Sequence, residues 1–318
     1  MYPGIVGAAM TPELKRSLAA QREIIDERLA RLVPRALPGQ TALDEAIAAS
    51  VLAPGKRLRP MMTVMVARDL GGDVDVAVDA GCAIEMVHAA SLTLDDLPSM
   101  DDASLRRGRP AVHAAYGEDV AILAAIAALS GAFETLAKLS GASDAVRSQS
   151  VVILTRAVGV SGLVAGQLAD LRDGAHQRDV TDIAATNSLK TGSLFSAAVE
   201  IGAVVAGADH GVRIALRNFA TEIGHAFQLL DDLLDQDVNA GRTGKDVGKD
   251  IGKSTIGSVI GSESVVGRIG AHVARAHDFL NESVGSKSLM HGCVDFIFEE
   301  AMPGTAGSSL RPQDAGAQ

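Results

Sequence analysis

The sequence predicts an all-α protein, a single-domain bundle of roughly ten or more helices around a deep central cavity over residues 13–302. Three observations carry that expectation. Ala-rich segments with apolar residues three and four apart recur at Asp119–Leu139, Ala145–Leu171, Thr181–Ala206 and Val212–Asp237, while alternating strand-like runs are scarce. No Pro/Ser-rich linker or run of like charge divides residues 40–300, so one large core is expected. Aromatic residues are 3% and Trp is absent, a composition that lets helices approach closely and leaves room for a cavity.

Residues 1–12 read as a flexible leader and residues 303–318 as a disordered tail. Next comes Pro54-Gly55-Lys56-Arg57-Leu58-Arg59-Pro60, three cations confined between prolines in a short rigid turn. In the helix after it, His88, Ser91 or Leu92, and Asp95 form one stripe at spacings of three, four and seven. Pro98 interrupts it, which predicts that Asp101 and Asp102 sit on an unwound extension where Asp101 can swing back towards Asp95. Arg106, Arg107 and Arg109 come directly after. In the second acidic run, Phe227–Asp235, Asp231 and Asp235 are four apart and share a helical face. A Gly- and Lys-rich run spans Thr243–Lys253, and Val265, Ile269, Val273, Ala276 and Leu280 then show helical spacing.

Composition narrows the function. A net charge of −10 disfavours nucleic acid. Cys82 and Cys293 offer no disulfide framework, and the start MYPGIVGAAM lacks the charged opening of a signal peptide, so a cytoplasmic protein is expected. The longest uncharged stretch, Val120–Phe133, has 14 residues, from which no membrane span is expected.

The two acidic clusters, DDLPSMDD at Asp95–Asp102 and FQLLDDLLD at Phe227–Asp235, hold the chemistry. Crowded carboxylates repel and raise one another's pKa unless cations offset them. A single cluster is more often a solvated helix end, but both of these sit in apolar runs where an unpaired carboxylate costs several kcal/mol. Oxygen ligands without Cys or His point to a hard ion, and Mg²⁺ fits best because it is commonly held by a few carboxylates together with substrate phosphates. The basic groups around Lys56, Arg106, Lys190 and Lys245 suit phosphate oxygens.

In their order along the chain, GKRLRP, EMVHAASLTLDDLPSMDDASLRRGRP, GQLADL, LKTGSLF, FQLLDDLLD and GKDVGKDIGKST resemble the trans-isoprenyl diphosphate synthase (polyprenyl synthetase) family over residues 40–256, and most closely its bacterial geranylgeranyl diphosphate-forming members. The resemblance implies Mg-dependent head-to-tail condensation of isopentenyl diphosphate with an allylic diphosphate by a homodimer, with three Mg²⁺ per active site. It implies Asp95, Asp101, Asp231 and Asp235 as metal ligands, and Asp95, Asp96, Asp101, Asp231, Asp232 and Lys190 as catalytic. Asp96 and Asp102 would hold metal-bound waters or complete the shell. Lys56, Arg59, His88 and Arg107 match positions that bind isopentenyl diphosphate. Arg106, Lys190, Thr191, Gln228, Lys245 and Lys253 match positions on the allylic diphosphate, and Gln167 and Asp170 a further polar face of the cavity.

The family often has His where this chain has Leu94, a substitution that its carotenoid-pathway members tolerate. Ala90 and Ser91, about one turn before Asp95, would form the first floor of the product pocket, and both are small. Family members that stop at fifteen carbons often carry an aromatic there, so the twenty-carbon product is favoured over farnesyl diphosphate, with a deeper stop such as Phe133. A terpene cyclase would lack the GKRLRP turn. A non-catalytic partner subunit would have lost one Asp motif, and both are present.

Overall fold

The computed structural model describes residues 11–173, 179–236 and 262–301. They form a helical assembly: α1 (Pro12–Leu32), α2 (Thr41–Val51), α3 (Leu58–Asp69), α4 (Val74–Asp95), α5 (Val112–Tyr116), α6 (Glu118–Ala137), α7 (Asp144–Val158), α8 (Leu163–Asp173), α9 (Val180–Asn187), α10 (Ser193–Val205), α11 (His210–Gln236), α12 (Ser262–Ser283) and α13 (Leu289–Ala301). Helix starts reflect capping chemistry. Thr11, Asp73, Ser143 and Asp179 each accept a backbone N–H in the first turn of α1, α4, α7 and α9, and α1 also opens on proline.

α4 is the central element, packed by α1, α2, α3, α6 and α10. Alanines are what let α6 lie so close to it: Ala121, Ala124, Ala125, Ala128 and Ala132 are all buried. The buried apolar residues form one continuous cluster reaching from Leu18 to Phe298. The helical spacing expected after Gly261 holds, since Val265, Ile269, Val273, Ala276 and Leu280 are all buried on α12, which packs along α11.

Two of the helical segments are interrupted, and one expectation needs correction. The segment Ala145–Leu171 is two helices, broken between Val158 and Leu163 where Gly159-Val160-Ser161-Gly162 cannot sustain a helix. Thr181–Ala206 is interrupted by one π-helical turn, Ser188–Gly192. By length and composition four stretches, Val74–Asp95, Glu118–Ala137, Asp144–Arg172 and Thr181–Val205, are long and apolar enough to cross a membrane. The 14-residue uncharged run is therefore no argument against a membrane span. In α4 that apolarity faces protein on nearly every side.

A hairpin that residue spacing does not predict closes the fold near the first acidic cluster. Leu105–Arg106 pairs antiparallel with Arg109–Pro110. Its two loop residues, Arg107 (φ 53°) and Gly108 (φ 73°), are both left-handed, which matches the right-handed twist of the flanking strands.

Candidate active site

Helix α4 ends at Asp95, and Pro98 keeps the chain from extending it further. The backbone instead folds back on itself through Leu97–Asp102, where the Asp101 N–H donates to the Asp95 carbonyl (2.9 Å) and the Asp102 N–H to that of Leu97 (3.0 Å). Asp102 takes a left-handed conformation, φ 48°. Asp101 thus returns beside Asp95, as its position after Pro98 predicts. Burial pushes the Asp95 carboxyl up to about 6, Lys190 opposes that rise, Asp101 adds to it, Arg106 opposes it and Asp96 adds to it. A buried carboxylate among like charges is a site that a cation would relieve, and the oxygen-only donor set suits Mg²⁺.

Among the described residues no three His, Cys, Asp or Glu groups are gathered closely enough to hold a metal alone. Of the second motif, Asp231 belongs to the described part of α11; the side chains of Asp232 and Asp235, and all of Lys245 and Lys253, lie outside the described residues.

Asp96, next to Asp95 in the first acidic motif, is paired within the protein. It is 2% exposed, and both its oxygens face Arg106, whose Nε lies 2.9 and 3.1 Å from them. The Arg106 guanidinium is held there by the hairpin. Burial works against its charge, but Asp96, Asp95 and Asp101 more than offset that and raise its pKa. The neighbouring Arg107 turns the other way, its Nη1 donating to the Pro54 carbonyl at 2.7 Å, and so ties the hairpin to the GKRLRP loop.

On the first turn of α3, Arg59 stacks over Phe195 of α10, with Cζ 4.4 Å from the ring centroid. Burial lowers its pKa to about 10, the charges of Glu85 and Asp231 work against that, and Arg107 adds to it. Arg59 therefore lies in the field of the second acidic motif. His88 is held neutral, its pKa well below the usual value through burial and then through Arg59, Arg107, Arg106 and Arg57. His88, Arg106 and Arg107 line a cavity of about 270 Å³ with Glu85, Asp96 and an apolar wall that includes Ala89, Leu92, Val112 and Tyr116.

The π-helical turn presents Lys190 and Thr191. Lys190 Nζ is 2.7 Å from Asp170 Oδ2, and Thr191 Oγ1 donates to Gln228 Oε1 at 3.4 Å, linking this turn to α8 and α11. Gly166 permits the approach: a Cβ there would lie 2.3 Å from the Lys190 backbone nitrogen. Beside it Gln167 is buried with neither amide atom partnered among the described residues, a polar group suited to a ligand. The assembly brings Lys190 to act on Asp95 at the end of α4, and Arg59 and Arg107 to act on His88 two turns earlier on that helix. Such an arrangement can hold two anionic groups side by side, one of them through a divalent cation.

The Polyprenyl synthetase family model matches residues 40–262. The chain is 45% identical over 280 residues to a geranylgeranyl diphosphate synthase of Pantoea ananas, covering 87% of this chain and 89% of the relative. It is 37% identical over 236 residues to a farnesyl diphosphate synthase of Geobacillus stearothermophilus, covering 74% and 79%. Its structure is similar to that of a Helicobacter pylori geranyltransferase complexed with magnesium and isoprenyl diphosphate, with a TM-score of 0.81, 26% identity, and coverage of 92% and 98%.

Proposed function

The chain belongs to the polyprenyl synthetase family, and from that premise we propose that it catalyses magnesium-dependent head-to-tail condensation of isopentenyl diphosphate with allylic diphosphates to give geranylgeranyl diphosphate. The observation that carries this reading is the pairing of charges across the bundle: Asp95 lies in the field of Lys190, and Arg59 in that of Asp231. Identity to a geranylgeranyl diphosphate synthase supports the product.

In this reading Asp95, Asp101, Asp231 and Asp235 would hold three Mg²⁺, Asp232 is assigned to the same motif, and the metal would supply charge neutralisation for the allylic diphosphate. Lys190, Thr191, Gln228, Arg106, Lys245 and Lys253 grip that diphosphate. As its C–O bond ionises, negative charge grows on the leaving group where Lys190 and Arg106 stand, so these cations stabilise the transition state more than the ground state. Lys56, Arg59, Arg107 and neutral His88 hold isopentenyl diphosphate without metal and bring its double bond to the allylic carbon. The core around α4 and α6 excludes water from the carbocation. The proton released at the end passes to the departing diphosphate, so no side-chain base is needed.

Ala90 is fully buried and Ser91 nearly so, and we assign them to the first floor of the product pocket. Farnesyl diphosphate is the second reading, supported by the Geobacillus relative. We also propose a cytoplasmic homodimer: Ile122, Leu123 and Ile126 on α6 and Val164 and Leu168 on α8 form exposed apolar stripes that a second copy would cover. The test is whether purified protein consumes labelled isopentenyl diphosphate with an allylic primer and Mg²⁺, stops with EDTA, and recovers when Mg²⁺ is returned.

A further inference from the structure

Three cations fall within four residues of the GKRLRP loop, yet the middle one does not face the site. Arg57 is 5% exposed, and its three guanidinium nitrogens are all engaged elsewhere: Nε with Asp26 Oδ1 (2.7 Å), Nη1 with Glu85 Oε1 (2.7 Å) and Nη2 with the Ala53 carbonyl (2.8 Å). One side chain thereby joins α1, the end of α2 and α4. Burial opposes its charge, and Glu85 and Asp26 more than offset that. Its backbone is also strained. Arg57 caps α3 in a left-handed conformation, φ 50° and ψ 36°, which a residue with a Cβ adopts only when its surroundings hold it there. Glu85 is 3% exposed and sits three residues before His88 on α4, so the same clamp that holds the loop is built into the helix face carrying His88.

We propose that Arg57 is a positioning residue: by locking the left-handed turn between Lys56 and Arg59 onto Glu85 and Asp26, it sets the affinity for isopentenyl diphosphate without touching it. This rests on the assignment of Lys56 and Arg59 to that substrate. Lysine cannot reproduce a three-way planar contact, and Glu85→Gln removes the buried charge that anchors it. Each should let the loop relax and spread its two remaining cations.

The experiment is steady-state kinetics on Arg57→Lys, Glu85→Gln and Asp26→Asn, with both substrates varied and melting temperature recorded. Arg57→Lys and Glu85→Gln should raise the KM for isopentenyl diphosphate about tenfold, with kcat and the allylic KM changed less than about threefold. Asp26, at the solvent end of the network, should give a smaller shift in the same direction with little change in melting temperature, and it decides the matter if the buried variants do not fold. Equal changes in both substrates, or a fall in stability and kcat with an unchanged KM for isopentenyl diphosphate, would overturn the proposal. The two levels separate cleanly: wild-type protein inert towards isopentenyl diphosphate contradicts the function, whereas active wild type with a Lys56→Ala effect but none from Asp26→Asn or Arg57→Lys contradicts the clamp alone.

Discussion

Lys190 Nζ and Asp170 Oδ2 stand 2.7 Å apart, so the lysine assigned to the allylic diphosphate is held by a carboxylate of α8. Both side chains are partly buried, and each keeps the other's charge compensated. Lys190→Ala should lower kcat by about a hundred- to a thousandfold, the usual range for losing a group that stabilises transition-state charge. Asp170→Asn should cost less, because it loosens the lysine without removing it. Single-turnover rates on both variants check this order.

Gly166 makes the same contact possible from the backbone side. Any Cβ at 2.3 Å from the Lys190 nitrogen must push α8 and the π-helical turn apart. Gly166→Ala should therefore lower melting temperature more than Lys190→Ala, which leaves Asp170 uncompensated but keeps the close approach of α8 to the π-helical turn. Thermal denaturation beside kinetics separates the two.

Asp95 yields a pH prediction. Its carboxyl is raised from 3.8 to about 6 by burial first, so folding favours its protonated form. This group's contribution is accordingly favourable at low pH and is lost as pH rises from about 4 through about 6, an effect on the order of 2–3 kcal/mol at most. Metal-free protein should lose stability over that window, and Asp95→Asn should flatten the loss. The same variant, like Asp101→Ala and Asp231→Ala, should lower turnover by orders of magnitude. Near-normal turnover in two of the three would sink the metal assignment.

His88 works in the opposite sense. It stays neutral in the fold, whereas in the unfolded chain it gains a proton as pH falls through about 6.5. Its contribution is present above that value and is lost as pH falls below it. His88→Gln, which keeps a polar contact without titrating, should reduce the acid sensitivity of stability between about pH 6.5 and 5 while retaining isopentenyl diphosphate binding. Chemical denaturation across that range provides the check.

The sequence made the helical class, the unwound end after Pro98 and the return of Asp101 to Asp95 legible because each depends on local rules: apolar spacing, proline's missing donor, and the reach of a short turn. It did not reveal the π-helical turn at Lys190, which depends on Gly166 meeting the chain from another helix. Residue spacing alone does not separate neighbouring arginines; only the family resemblance assigns Arg59 and Arg107 to isopentenyl diphosphate and Arg106 to the allylic diphosphate, and it leaves Arg57 without a role. Arg57 and Arg59 read alike as loop cations, and so do Arg106 and Arg107, but long-range partners send Arg57 to Glu85 and Arg106 to Asp96. Spacing along the chain says nothing about which buried carboxylate an arginine will find.

Product length tests the central claim most directly. Purified protein given labelled isopentenyl diphosphate, an allylic primer and Mg²⁺ should yield, after dephosphorylation and chromatography, mainly geranylgeraniol. With Ala90 assigned to the floor of the product pocket, Ala90→Tyr would place a ring of about 150 Å² or more in the tail's path and should shift the product to farnesol. Wild-type protein yielding mainly farnesol, or an Ala90→Tyr variant still yielding geranylgeraniol, would contradict the account.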